Sequence, residues 1–133
     1  MSLDFYLRNA CCRREYFSRN ITHNMNKMAE ACGLYGTLWH PRGGDIMFYT
    51  NITEHIAYDQ FQIVTGFYKY YENADAMIPD LKKGLECLEK YPEHFKQFNP
   101  TNGWGNYEGF IEFVKAVLDA CIEYPETVPY ASI

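Results

Sequence analysis

Apolar positions recur along this chain at helical spacing in three places. Over residues 75–91, Ile78, Leu81, Leu85 and Leu88 fall three or four apart, with Lys82, Lys83, Glu86, Glu89 and Lys90 between them. That is the stripe of an amphipathic helix facing a core. Pro79 suits only a first turn, so the regular part is expected to begin near Ala76 or Met77, and Pro92 ends it. Over 107–124, Phe110, Ile111, Val114, Leu118 and Cys121 predict a second helix, stopped by Pro125. Ile21, Met25, Met28 and Cys32 predict a third over 21–32. Asn20 or Thr22 supplies its N-cap oxygen and Gly33 its left-handed close.

The remaining pattern is shorter. Residues 2–7 alternate and read as a strand, 14–18 as a second, and Asn9, Ala10, Cys11 and Cys12 as the turn of an N-terminal hairpin. Residues 34–39 read as a short helical or irregular piece before Pro41, Gly43 and Gly44 break the chain. Segment 45–72 is rich in Tyr and Phe and is ambiguous. Ile56, Ile63, Val64, Phe67 and Tyr71 can line a helix over 53–71, but the same residues favour strands. Residues 99–105 form a loop, and 128–133 are expected to fray. Residues 90–93 and 123–126 both place Tyr-Pro-Glu after a charged residue, 33 positions apart, as two helices that stop in the same way. The resulting expectation is a mainly α, α+β single domain spanning 1–133. It has four to five helices and a small N-terminal β-hairpin, with 45–72 as inserted material.

Composition narrows the class. In 133 residues, 47% are hydrophobic, which excludes a disordered chain, and 12 Tyr, 9 Phe and 2 Trp make it unusually aromatic. The net charge of −5 argues against non-specific nucleic-acid binding, which needs a basic footprint. The charge is uneven. Arg8, Arg13, Arg14, Arg19 and Lys27 lie near the start, and Glu108, Glu112, Asp119, Glu123 and Glu126 near the end. Ends of opposite sign can favour self-association; they can equally be solvated faces. No apolar run reaches the roughly 20 residues of a membrane span. The first seven residues are too short and acidic for a signal peptide, so the expected compartment is the cytoplasm. Cys11, Cys12, Cys32, Cys87 and Cys121 are an odd set and fit reduced thiols there, the last three as core residues. Two Asn-Ile-Thr triplets, at 20–22 and 51–53, match the glycosylation pattern but read as helix starts.

Three stretches carry candidate chemistry. His23, Asn24 and Lys27 crowd a polar face beside Asn20, either contacting a ligand or bonding to neighbouring elements. Asn102, Gly103, Trp104, Gly105, Asn106 and Tyr107 set a Trp between two glycines at a helix entrance. That loop either binds, with N–H groups able to hold an anion, or folds its Trp onto the core with Asn106 as N-cap. Trp39, His40 and Arg42 beside the Gly43–Gly44 turn form the third. No phosphate loop, zinc spacing or nucleophile motif occurs, so no cofactor, no metal and no assigned catalytic residue are expected. Cys11 and Cys12 among arginines are the one thiol pair in an electropositive setting.

Residues 21–29 (Ile-Thr-His-Asn-Met-x-x-Met-Ala), 33–41 (Gly-Leu-Tyr-x-x-x-Trp-x-Pro) and 102–107 (Asn-Gly-Trp-Gly-x-Tyr) together resemble a family of small uncharacterised proteins of phages and prophages. The resemblance covers about two-thirds of the chain and departs from it over 45–71. It implies a phage-linked cytoplasmic setting and no particular catalytic role. The expected function is a small binding or accessory protein for a small molecule or protein partner. His23, Asn24, Trp39, His40, Asn102, Trp104 and Tyr107 would form a polar-aromatic cleft. The rival readings are a small enzyme with His23 or His40 as general base, and a structural self-associating module.

Overall fold

The computed structural model describes residues 2–45 and 67–132. Two long helices, α3 (Ala74–Lys90) and α5 (Tyr107–Glu123), pack side by side and carry the core. Both have 17 residues. Their ends match at the same 33-residue offset. Asn73 and Asn106 are extended N-caps whose side-chain oxygens accept from the N–H of Ala76 (3.0 Å) and Gly109 (2.7 Å). Tyr91 and Tyr124 are C-caps with φ/ψ of −127/59 and −123/61. The echo at 90–93 and 123–126 is thus two helices of one design, started by Asn and stopped before Pro.

Met77, Leu81, Leu85 and Leu88 of α3 face Phe110, Phe113, Val114, Val117, Leu118 and Cys121 of α5, and all are buried. Helix α3 starts two to three residues before the expected 76–77. Its first N–H groups are taken by chain far away in sequence: Ala74 N donates to the Thr127 carbonyl (2.8 Å) and Asp75 N to the Pro125 carbonyl (3.0 Å). Pro79 therefore lies inside the helix rather than at its first turn. A short α4 (Pro92–Lys96) follows, with Phe95 fully buried.

The N-terminal hairpin forms as expected. β1 (Ser2–Arg8) pairs antiparallel with β2 (Glu15–Thr22), from Ser2 opposite Thr22, with an irregularity at Leu7–Arg8. Leu3, Phe5 and Leu7 are wholly buried, while Ser2, Asp4, Tyr6 and Arg8 take the other face. The expected frayed end at 128–133 is overturned over Val128–Ser132. That stretch is β5, which pairs with β1 and makes it the centre of a three-stranded sheet ordered β2-β1-β5. Pro129 is tolerated because β5 is an edge strand. The Thr127 hydroxyl donates to the Tyr124 carbonyl (2.6 Å) and pins the turn into it.

The helix expected over 21–32 is shorter. Ile21 and Thr22 complete β2, residues His23–Met25 form one 3-10 turn, and α1 spans Asn26–Cys32. Ile21 is buried from a strand, a position that fits the period-2 and the 3.6 pattern equally. Thr22 is the cap, accepting from Asn24 N (3.4 Å), whereas Asn20 donates to Ser2 Oγ (2.8 Å) and Asp4 Oδ1 (2.6 Å) across the hairpin. Gly33 closes α1 at φ 84 as expected. Helix α2 (Tyr35–Trp39) follows. Between them Leu34 docks on α3 at Gly84, where an added Cβ would lie 2.4 Å from the Leu34 Cγ. Only glycine admits that approach.

β3 (Arg42–Asp45) and β4 (Phe67–Tyr70) pair as a second, two-stranded sheet. The helix expected over 53–71 is therefore wrong over 67–70; its earlier part, and residues 46–66 of the inserted segment 45–72, lie outside the described residues. Tyr71 is core rather than helix stripe. No helix among the described residues is long and apolar enough to cross a membrane.

Candidate functional site

The 3-10 turn at His23 and helix α2 bring three expected site residues together. The Trp39 indole N–H donates to His23 Nδ1 (3.2 Å), with the rings tilted at 6.4 Å. Tyr35 stacks on Trp39 at 5.2 Å and 14°, and His40 tilts against Tyr35 at 5.5 Å. Tyr35 joins this row by lying one helical turn before Trp39, a spacing visible in the sequence but not singled out there. Because Nδ1 accepts the indole proton, neutral His23 carries its own proton on Nε2. That atom is buried and finds no hydrogen-bond partner among the described residues. A buried N–H left without an acceptor costs roughly 1–3 kcal/mol, which a ligand oxygen would recover. Burial holds the His40 imidazole below its ordinary value.

The loop before α5 reaches the same turn. Gly105, at φ 95, lies so close to it that an added Cβ would sit 2.8 Å from both Met25 Sδ and Thr22 Cγ2. Those residues flank His23 and Asn24 in the chain, so the loop backbone adjoins the turn directly. Trp104, next in sequence, is 69% exposed. This removes the alternative in which it folds onto the core. Asn24 and Asn102 are exposed as well.

Two expected roles are corrected. Tyr107 is buried, and its hydroxyl donates to the Leu88 carbonyl (2.6 Å), bolting α5 to the end of α3. Burial, then Glu89, Glu108 and Glu93, push that phenol up from its ordinary range. The anion cradle expected at the start of α5 is filled by side chains. Asn102 Oδ1 accepts from Trp104 N (2.9 Å), Asn99 Oδ1 from Tyr107 N (2.8 Å), and Asn106 Oδ1 from Gly109 N. Trp39 is 2% exposed and acts as wall and hydrogen-bond donor, not as an open surface. Arg42 donates to the Tyr71 carbonyl (3.3 Å) and the Tyr70 hydroxyl (2.5 Å) rather than to the other members of its stretch.

A second polar cluster gave no sequence signal. The Tyr71 hydroxyl donates to Asp80 Oδ2 (2.6 Å), which also receives Lys69 Nζ (2.9 Å), and the Thr37 hydroxyl then donates to Tyr71 (2.9 Å). Burial, and the bond to Asp80, push the Tyr71 phenol up. Its members come from α2, from the end of β4 and from α3, so no local spacing announces it.

All five cysteines are free. Burial pushes the thiols of Cys87 and Cys121 up to about 12, and that of Cys32 higher still. Cys11 and Cys12 are exposed at the hairpin tip, where their N–H groups bond to Asn9 Oδ1 (2.8 and 3.2 Å). Among the described residues no three His, Cys, Asp or Glu side chains are grouped to hold a metal ion. His55, four residues from Asp59 and a weak metal-ligand spacing in the sequence, lies outside the described residues. No protein-family model, curated protein or solved structure matches the chain.

Proposed function

We propose that this protein is a small binding module whose ligand seats between the His23 turn and the 99–106 loop. The observation that carries this reading is the contact of Gly105 with Thr22 and Met25. It joins two motifs some 80 residues apart; one holds the exposed Trp104 and the other a buried His23 Nε2–H without a partner among the described residues. The chemistry fits a ligand with a planar apolar part for the indole and a hydrogen-bond acceptor for the imidazole. Asn24 and Asn102 add exposed amides for orientation. The arrangement favours binding over general-base catalysis at His23. Its Nδ1 receives an indole N–H, whereas a base held by a carboxylate donates from that nitrogen. The resemblance to small phage and prophage proteins adds a phage-linked, cytoplasmic setting to this proposal.

The test is an amide-detected NMR screen of a fragment set that pairs aromatic rings with carbonyl acceptors. Hits are expected to shift Asn24, the Trp104 indole and the His23 ring protons together, and to lose that effect in Trp104→Ala. Hits that cluster elsewhere, or that ignore Trp104→Ala, overturn the proposal.

A further inference from the structure

The arginines of this acidic chain stand outside its ion pairs. The ion pairs among the described residues use Lys69, Lys96 and Lys115. The five arginines, Arg8, Arg13, Arg14, Arg19 and Arg42, find no carboxylate among the described residues, although the chain holds 17 Asp and Glu. Three of them lie over rings instead: Arg14 over Tyr16 alone, at 5.6 Å, and Arg8 and Arg42 each over two. Arg8 lies 4.5 Å from the Tyr6 ring centre and 5.5 Å from that of Tyr130. Arg42 lies 4.5 Å from Tyr70 and 5.4 Å from the same Tyr130.

The register explains the convergence. Tyr6 and Tyr130 are direct cross-strand partners in β1 and β5, and Arg8 follows Tyr6 on the same face, opposite the buried Leu3, Phe5 and Leu7. Arg42, the first residue of β3, reaches the same Tyr130 from the second sheet. Two guanidinium groups thus share one ring. Ring stacking fixes a guanidinium plane and leaves its N–H edge to recognise an oxyanion, with little further ordering cost. Arg42 has spent part of its fork on the Tyr71 carbonyl and the Tyr70 hydroxyl, which fixes it further. Among the described residues the Arg8 N–H groups meet no acceptor, and only the rings beneath hold it.

We infer that Arg8 and Arg42, astride Tyr130, form a binding site for a compact ligand bearing two adjacent oxyanion groups. A diphosphate and a dicarboxylate share this chemistry. The site is separate from the His23–Trp104 surface and does not depend on it. The expected acidic repulsion of the whole chain does not reach it strongly, because the hairpin carries four arginines against Asp4 and Glu15.

Calorimetric titration with inorganic pyrophosphate and with malonate tests the site, with orthophosphate and acetate as single-anion controls. At least one dianion is expected to bind more tightly than its single-anion control, and which one does assigns the ligand class. Arg8→Lys and Arg42→Lys keep the charge but lose the fork, and each should weaken binding by about tenfold, the loss of a charge-assisted hydrogen bond. Tyr130→Phe keeps the ring and should retain binding, whereas Tyr130→Leu should lose it. Arg19→Lys, on exposed β2, should bind as the parent does. Thermal unfolding of each variant separates lost binding from lost fold. The inference is overturned if neither dianion binds, if dianion and single anion bind alike, or if Arg19→Lys loses as much as Arg8→Lys.

Discussion

Trp39 and Trp104 each end a short stretch that mixes glycine, aromatic and polar residues, yet their surroundings differ in kind. Trp39 is 2% exposed, stacked on Tyr35, and gives its indole N–H to His23. Trp104 is 69% exposed, and it is its backbone N–H that is satisfied, by Asn102. In the first region the side chain is part of the core and its own N–H is spent on His23. In the second the loop backbone is spent and the side chain is left over. What separates a packing residue from a binding one is thus where its hydrogen bonds go, and that depends on partners distant in sequence.

The largest expected break in this comparison is at Trp39. Trp39→Ala removes a buried ring, the stack on Tyr35 and the donor to His23. It should cost roughly 3–5 kcal/mol, the range for Trp or Phe truncation in a core. Chemical denaturation followed by far-UV circular dichroism gives the value. A loss below about 1 kcal/mol, typical of a surface substitution, would mean the ring is not core.

The loop side of the comparison is sharpened by its two glycines. Gly103 has φ 77 and open space where a Cβ would be. Gly105 has φ 95 and would press a Cβ on Met25 and Thr22. Gly103→Ala should cost only the left-handed backbone penalty, roughly 1–2 kcal/mol. Gly105→Ala should add an overpacking cost of about 1–3 kcal/mol. Equal costs would show that the loop does not rest on the His23 turn, and would remove the basis of the proposed site along with it.

The same contrast between local and distant partners decides what was legible in the sequence. Helices α3 and α5 were legible because their stripes, Asn caps and following prolines are all local. The close of α1 by Gly33 was legible for the same reason. Strand β5 was not, since five residues with proline in second place carry no period of their own; β1 supplies their order. Ile21 suited a helix and a strand equally, and the cross-strand pairing to Leu3 settled it. At the site, the polar excess around His23 and Asn102 was legible. The burial of Tyr107 and Trp39 was not, because Leu88 and His23, which satisfy them, lie 19 and 16 residues away. The Thr37–Tyr71–Asp80 cluster was invisible on the same ground.

A smaller effect follows from His40, at the rim of the Trp39 region. Burial lowers its imidazole in the folded protein, so the unfolded chain binds a proton that the native state resists. Stability is therefore full above the ordinary histidine value of about 6.5 and falls as pH drops through it. Denaturation midpoints at a series of pH values from 8 to 5 should decline on the acid side, and His40→Gln should flatten that decline. An unchanged slope in His40→Gln would place the ring in water.

The smallest effect belongs to Trp104, and it is the one on which the comparison turns. Its ring is mostly in solvent, and the bond that orders its residue runs through the backbone N–H to Asn102, which alanine keeps. The caps at Asn99 and Asn106 do not involve the indole either. Trp104→Ala should thus leave stability within about 0.5 kcal/mol of the parent, the range of surface substitutions away from special features. Acrylamide quenching offers a second measure. In the parent an exposed and a buried indole should give two quenching classes, and Trp104→Ala should abolish the accessible one while the denaturation midpoint stays put. A cost comparable to Trp39→Ala would make both tryptophans structural. A null cost makes Trp104 a side chain the fold does not need, which is what a binding role requires of it.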